Sequence, residues 1–126
     1  MQEFDLPKVY NWEKASTKIP TIYKALLTQT GTADPVATVF ENTLKTNIIW
    51  TRNSVGEYTG TLEGGTFEVG GTFILMSMST YSGPWLPFAG VNPAAPNTIT
   101  INTYEDFATA EDLHGSLSIE VQVYIQ

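Results

Sequence analysis

The sequence predicts an all-β domain: an antiparallel β-sandwich of jelly-roll or immunoglobulin-like type with an N-terminal arm and one short helix. Segments in which apolar and polar residues alternate recur roughly every ten residues after position 20, and glycine and asparagine turns separate them. Charged residues make up only 15% of the chain, below the ~25% typical of soluble domains. Threonine, serine and asparagine must therefore supply much of the polar surface, and threonine suits a pleated strand.

The first 18 residues are predicted to be an arm, and residues 19–126 the sandwich domain. The arm has no clear period, contains Pro7 and is closed by Pro20. Its large apolar side chains are unfavourable in water, so we expect them to pack on the domain or on a neighbouring chain. The predicted contact residues of the arm are Phe4, Leu6, Tyr10 and Trp12.

The strands follow from the period-two pattern. They are expected at 23–28, 36–41, 46–52, 57–63, 73–78, 98–102 and 117–125. The last segment has the clearest alternation, with apolar residues at every odd position from Leu117 to Ile125. Segment 73–78 begins apolar on both faces, which is typical of a central strand.

Two segments interrupt this pattern. Thr103 lies three residues before Asp106, as in a helix N-cap, and apolar residues follow at a three-residue spacing up to Leu113. These features predict a short helix before the last strand. Residues 81–97 contain four of the seven prolines, which remove hydrogen-bond donors, so we expect a long surface loop there.

The proline-rich loop has binding potential because it carries three aromatic residues. Tyr81, Trp85 and Phe88 have the ring surfaces that stack on sugars or fill a partner's pocket. They are equally suited to folding down onto the sheet. Both interpretations stay open from the sequence.

No catalytic centre is recognisable. His114 is the single histidine, no serine has an elbow-like glycine context and cysteine is absent, whereas nucleophilic catalysis needs a nucleophile and an oriented base. We interpret His114 as a turn residue and predict no catalytic residue, no cofactor and no enzymatic activity. The carboxylates of 105–106 and 111–112 match no EF-hand spacing. They are interpreted as acids on a solvated helix, so no metal site is assigned, and metal binding is the alternative.

The charge distribution bears on partners. The net charge is −7, all six basic residues lie within the first 52 positions, and eight of the thirteen acidic residues follow them. An acidic domain repels phosphate backbones, so nucleic acid is not an expected partner. The chain has no apolar run of the ~20 residues that span a bilayer, and its N-terminus lacks a secretory-signal pattern. We therefore expect no membrane association. We expect the protein to be synthesised in a cytoplasm.

Several blocks of the sequence carry a resemblance. They are Ala-Leu-Leu-Thr-Gln-Thr-Gly-Thr at 25–32, the stretch 35–44 ending in Glu-Asn-Thr-Leu, Ile-Trp-Thr-Arg at 49–52, Gly-Glu-Tyr-Thr-Gly at 56–60, and 118–124. Together they resemble small β-rich proteins encoded in the structural-gene regions of tailed phages and prophages of Bacteroidetes-type bacteria. The resemblance covers residues 23–124 in patches and implies no catalytic residues. It implies a virion-associated role.

The expected function is that of a phage virion structural protein: a capsid decoration, head-fibre or tail-associated module acting by protein–protein contacts. The expected partners are other virion proteins and its own copies in a homo-oligomer, with the arm docked on a neighbour. The expected location is the virion, after synthesis in the host cytoplasm. The alternative is a carbohydrate-binding module whose 81–88 loop binds glycan.

Overall fold

In the described part of the chain, eight β-strands form two antiparallel sheets of four strands each. The computed structural model describes residues 18–78, 86–105, 109–113 and 115–125. The strands are β1 (Thr21–Thr28), β2 (Val36–Asn42), β3 (Ile48–Ser54), β4 (Glu57–Leu62), β5 (Thr72–Met78), β6 (Leu86–Val91), β7 (Thr98–Tyr104) and β8 (Ser116–Val123). Sheet A has the order β2-β1-β8-β5, and sheet B has the order β3-β4-β7-β6. For the described residues, the prediction of an all-β structure with antiparallel sheets is confirmed.

The alternating residues of the central strands build one buried core. In sheet A, Ile119 of β8 lies opposite Ala25 of β1, and Val121 lies opposite Tyr23. All four are buried, and they belong to the same hydrophobic cluster as Ile99 and other side chains of sheet B. Successive side chains of a strand point to opposite faces, so the inward set of each sheet is the set that the period-two pattern predicts.

Trp50 and Tyr23 join the two sheets. Trp50 donates its Nε1–H to the Tyr23 hydroxyl at 3.1 Å, and the two ring centroids lie 6.5 Å apart. Trp50 pairs in register with Gly60 on β4. A Cβ at Gly60 would lie 2.5 Å from the Trp50 ring, so the indole occupies space that only glycine leaves open.

The prediction of a central strand at 73–78 is wrong. β5 forms one edge of sheet A, where it pairs only with β8. Phe73 and Leu75 are therefore apolar and yet 55% and 53% exposed on the outer face. The apolar residues on the outer face of β5, Phe73 and Leu75, therefore form an exposed surface patch, and this strand is not buried on both faces.

The prediction of a loop throughout 81–97 is also wrong, since β6 lies within it. β6 forms the edge of sheet B and pairs with β7, and Pro87 lies opposite Thr103. An edge strand has one side without ladder partners, so it tolerates the missing proline N–H.

The predicted short helix is not found among residues 103–105 and 109–113. Thr103 is fully buried within β7 and bonds through its hydroxyl to the carbonyl of Glu111. Tyr104 forms a β-bridge with Ala110, and the Glu111 amide donates to the Thr103 carbonyl at 3.0 Å. Thr103, the predicted N-cap, is thus a strand residue that is hydrogen-bonded to Glu111 in the segment that follows β7. The described part of the protein contains no helix long and apolar enough to cross a membrane.

Candidate interaction surface

Most residues predicted as contact residues lie outside the described part of the chain. These are the arm residues Phe4, Leu6, Tyr10 and Trp12 and the loop residues Tyr81 and Trp85, and His114 lies outside it too. Phe88 is described. It is half exposed on β6, and its ring packs edge-on against Tyr104 with centroids 5.9 Å apart. This one aromatic of the predicted loop therefore lies against the sheet.

The acidic residue Asp112 is held in a polar network that extends through Tyr58 to Gln29, whose Oε1 lies 2.5 Å from the Tyr58 hydroxyl. Arg52 binds it in a bidentate manner, with Nε 3.1 Å from Oδ1 and Nη2 3.1 Å from Oδ2. The Gly56 amide donates to Oδ1 at 2.9 Å, and the Tyr58 hydroxyl lies 2.9 Å from the same oxygen. The Tyr58 hydroxyl also accepts the Leu113 amide at 3.0 Å. The network ties residues 111–113 to the turn between β3 and β4.

The electrostatics of this network fix its protonation states. Partial burial raises the pKa of Asp112, but the hydrogen bonds from Arg52, Gly56 and Tyr58 outweigh it and leave that pKa below its ordinary value. Burial raises the pKa of the Tyr58 hydroxyl well above its ordinary value. Asp112 therefore stays ionised and Tyr58 stays protonated at neutral pH. Across the described residues, no three histidine, aspartate or glutamate side chains come together as metal ligands would.

The outer face of sheet A carries a groove of about 460 Å³, which we call the sheet A groove. Its walls are Phe40 of β2 and Leu75 of β5, and its floor includes Lys24, Ser118 and Glu120 of the two central strands. Phe40 is 71% exposed. The groove therefore has apolar walls that stand above a polar floor.

A β-bulge places Phe40 on the groove wall. Lys24 pairs with Glu41, whereas the next residue, Ala25, pairs with Val39. Phe40 is the extra residue of this bulge, and bulges commonly re-aim a side chain. Here the side chain is presented to the surface on an edge strand of sheet A.

The charges on the groove floor are paired with each other. Lys24 Nζ lies 3.5 Å from Glu41 Oε1 and 3.8 Å from Glu120 Oε1. The hydroxyls of Ser77 and Ser118 are 2.7 Å apart. These partly exposed ion pairs add little to stability. One ammonium group faces two carboxylates, so the cluster has one excess negative charge.

The outer face of sheet B has a different character. Thr51, Thr59 and Thr100 lie side by side across β3, β4 and β7, and a second threonine pair follows on the next row of β4 and β7. The exposed apolar residues of this face, Ile49 and Phe88, lie on opposite edge strands. Sheet A is therefore the face that gathers exposed apolar side chains around a groove.

The alternation pattern alone does not single out the sheet A groove. Two local signals were nevertheless present: adjacent Val39 and Phe40 within a predicted strand, and the both-face apolar start of segment 73–78. Each breaks the period of two. Such breaks mark either a bulge or a strand with a second apolar face, and only the strand order distinguishes surface from core.

This chain matches no protein-family model, no curated protein and no solved structure.

Proposed function

We propose that this chain is a structural protein of a phage virion, a capsid decoration, head-fibre or tail-associated module, that acts through protein–protein contacts and not as an enzyme. The observation that carries the proposal is the sheet A groove, with Phe40, Phe73 and Leu75 exposed on one face. Clustered exposed apolar residues mark interaction sites, and aromatic residues are enriched in interfaces. The resemblance to phage structural-region proteins supports the virion setting.

The finer fold belongs to the same proposal: the two sheets form a β-sandwich of jelly-roll or immunoglobulin-like type. The single buried cluster and the Trp50–Tyr23 hydrogen bond between the sheets support the sandwich. Eight strands in two sheets agree in number with a jelly roll. The constant-type immunoglobulin fold places its first strand at a sheet edge, whereas β1 lies between β2 and β8.

The chemistry of the groove favours a protein partner. Apolar walls offer anchoring contacts, and Lys24 is already paired with Glu41 and Glu120, so its charge is not available to bind an anionic ligand. Partners of this kind are other virion proteins or further copies of this chain, with the arm residues Phe4, Leu6, Tyr10 and Trp12 as a second contact. A non-enzymatic role is supported by the Asp112 network, in which the carboxylate is engaged by three neighbouring groups.

The proposal predicts that the double variant Phe40→Ser, Leu75→Ser joins particles at a copy number lowered by about tenfold or more, because two anchoring side chains of an interface are lost. Both side chains are more than half exposed, so the fold should be retained. The measurement is the ratio of this chain to the major shell protein in gradient-purified particles. Ile49→Ser on sheet B, 48% exposed, is the matched control and should assemble normally. Normal incorporation of a folded double variant contradicts the proposal.

A carbohydrate-binding module is the second candidate, favoured by one observation. Phe40 and Phe73 expose their rings on the same face as the Ser77 and Ser118 hydroxyls, and stacking plus hydroxyl bonding is how proteins hold sugars. Under this alternative, a glycan array gives binding that is lost in Phe40→Ala, or in Trp85→Ala if the 81–88 loop is the site. Absence of binding to every glycan on the array counts heavily against a carbohydrate-binding role.

A further inference from the structure

A second concavity lies at the end of the two sheets where β1 begins and where β4 and β8 end. It measures about 280 Å³, and we call it the end pit. The apolar part of its lining is Leu44, Leu62, Phe67, Val123 and Ile125. Thr21 at the start of β1 and other polar residues complete it, and Lys45 and Glu68 are its two charged residues.

Backbone hydrogen bonds hold the walls of the end pit in place. Phe67 is 2% exposed, and its amide donates to the Pro96 carbonyl at 2.8 Å. The Glu63 amide donates to the Asn47 carbonyl at 3.0 Å, and the Leu44 amide donates to Asn42 Oδ1 at 2.9 Å. The pit is thus preformed, and a side chain entering it would not need to order these loops, which lowers the cost of binding.

The rim of the end pit is where the described chain begins. Seventeen residues precede Lys18, and Thr21 lines the pit. Ile19 is 82% exposed and precedes Pro20, and a residue before proline is biased towards extended backbone. The chain therefore enters β1 from the solvent side of the rim.

Residues 1–17 are long enough to reach a neighbouring copy. At about 3.3 Å per extended residue, seventeen residues extend roughly 55 Å, well beyond the chain's own pit. The segment also carries Phe4, Leu6, Tyr10 and Trp12, which are costly to leave in water. Every copy therefore carries a segment with four large apolar side chains and, four residues after that segment ends, the first residue that lines an open pit.

We propose that the end pit of one copy binds an apolar side chain from residues 1–17 of a second copy. This deepens the proposed function and rests on it, because it names the receptor for the arm. Ile19 is 82% exposed and is not part of the lining of the chain's own pit, and the residues before Lys18 are long enough to reach well beyond that pit, which favours a neighbour's pit. An arm-to-pit contact is heterologous, so it links copies into a closed ring or an open row.

Disulfide trapping tests the proposal directly, because the chain contains no cysteine. Glu13→Cys places a thiol beside Trp12 and leaves the apolar residues of the arm intact, and Thr66→Cys places one on the pit rim. The two single variants, carrying different tags, are mixed and oxidised. We expect a disulfide between the two tagged chains. Val55→Cys, on the turn between β3 and β4 at the other end of the sheets, replaces Thr66→Cys as the control and should give about tenfold less product.

Two outcomes of the trapping overturn the proposal. One is the absence of any cross-link between chains at a concentration where the control thiols react with free disulfide reagent. The other is a cross-link found only within a single chain that carries both Glu13→Cys and Thr66→Cys, because the arm would then occupy its own pit.

A charge-matched pair of variants provides a second test. Ile125→Glu places a carboxylate on the pit rim, where Ile125 is 75% exposed, and Val55→Glu makes the same change at a half-exposed site at the opposite end. Light scattering should show Ile125→Glu shifted to monomer and Val55→Glu unchanged from the wild type, with equal melting temperatures. Equal assembly of both variants overturns the proposal.

The two proposals fail in different ways. If Ile125→Glu assembles normally while the Phe40, Leu75 double variant is lost from particles, the end pit is not the receptor and the virion role stands. If arm exchange occurs but the chain is never found in particles, the exchange stands and the virion role fails.

Discussion

Gly56→Ala is expected to lower the free energy of unfolding by about 3–4 kcal/mol, one of the largest effects of any single substitution in this chain. Gly56 has a φ of +68°, which L-residues rarely adopt. A Cβ there would also lie 2.5 Å from the Thr103 carbonyl oxygen and 2.9 Å from the Glu111 amide nitrogen. Neither contact is relieved by a side-chain rotation, because both partners are backbone atoms. Urea unfolding followed by tryptophan fluorescence measures the change.

Gly31→Ala separates the two causes. Gly31 has a similar φ of +58°, but a Cβ there meets nothing within 4 Å. Its substitution should cost only the left-handed backbone penalty of about 1–2 kcal/mol. Equal losses in the two variants would show that the close approach of residues 103 and 111 to the β3–β4 turn does not exist in solution.

Asp112→Asn is expected to destabilise the protein by about 2–3 kcal/mol at pH 7, because charge-assisted hydrogen bonds to Arg52, Gly56 and Tyr58 are weakened together. The measurement is the urea midpoint of each variant. Glu63→Gln, which removes an exposed carboxylate at the other end of β4, is the control and should leave the midpoint almost unchanged.

The effect of Asp112→Asn should depend on pH in a defined direction. The folded-state pKa of Asp112 lies below its ordinary value of 3.8. A depressed carboxyl pKa contributes stability that is fully present above the unfolded value and is lost as the pH falls through the folded value. The gap between the wild type and Asp112→Asn should therefore be constant from pH 5 to 8 and shrink below pH 3.8. A gap that widens on acidification would contradict the assigned network.

Some features of the interaction surface can be predicted from the sequence, and others cannot. Phe40 and the start of β5 both interrupt the alternation, which is visible in the residues themselves. The groove between them is not visible, because Phe40 and Leu75 belong to strands separated by β1 and β8 in sheet A. The same holds for Arg52 and Asp112, which are 60 residues apart in the chain. The local pattern around 111–112 predicts a solvated helix face, because no neighbouring residue points to Arg52 as the partner of Asp112.

The period-two pattern is enough to predict the strand-forming character of the chain and the inward-facing residues of most strands. Examples are Tyr23, Ala25 and Leu27 of β1 and the odd-numbered residues of β8. This works because the side-chain period of a strand is two and depends on neighbouring residues only. Three features depend on tertiary pairing and are visible only in the folded structure. They are which strands form the sheet edges, the pairing of 86–91 with β7, and the position of Thr103 within a strand instead of at a helix N-cap. Strand pairing joins residues far apart in the chain. Whether an apolar face becomes core or contact surface is therefore set by the neighbours it acquires on folding, and not by its own pattern.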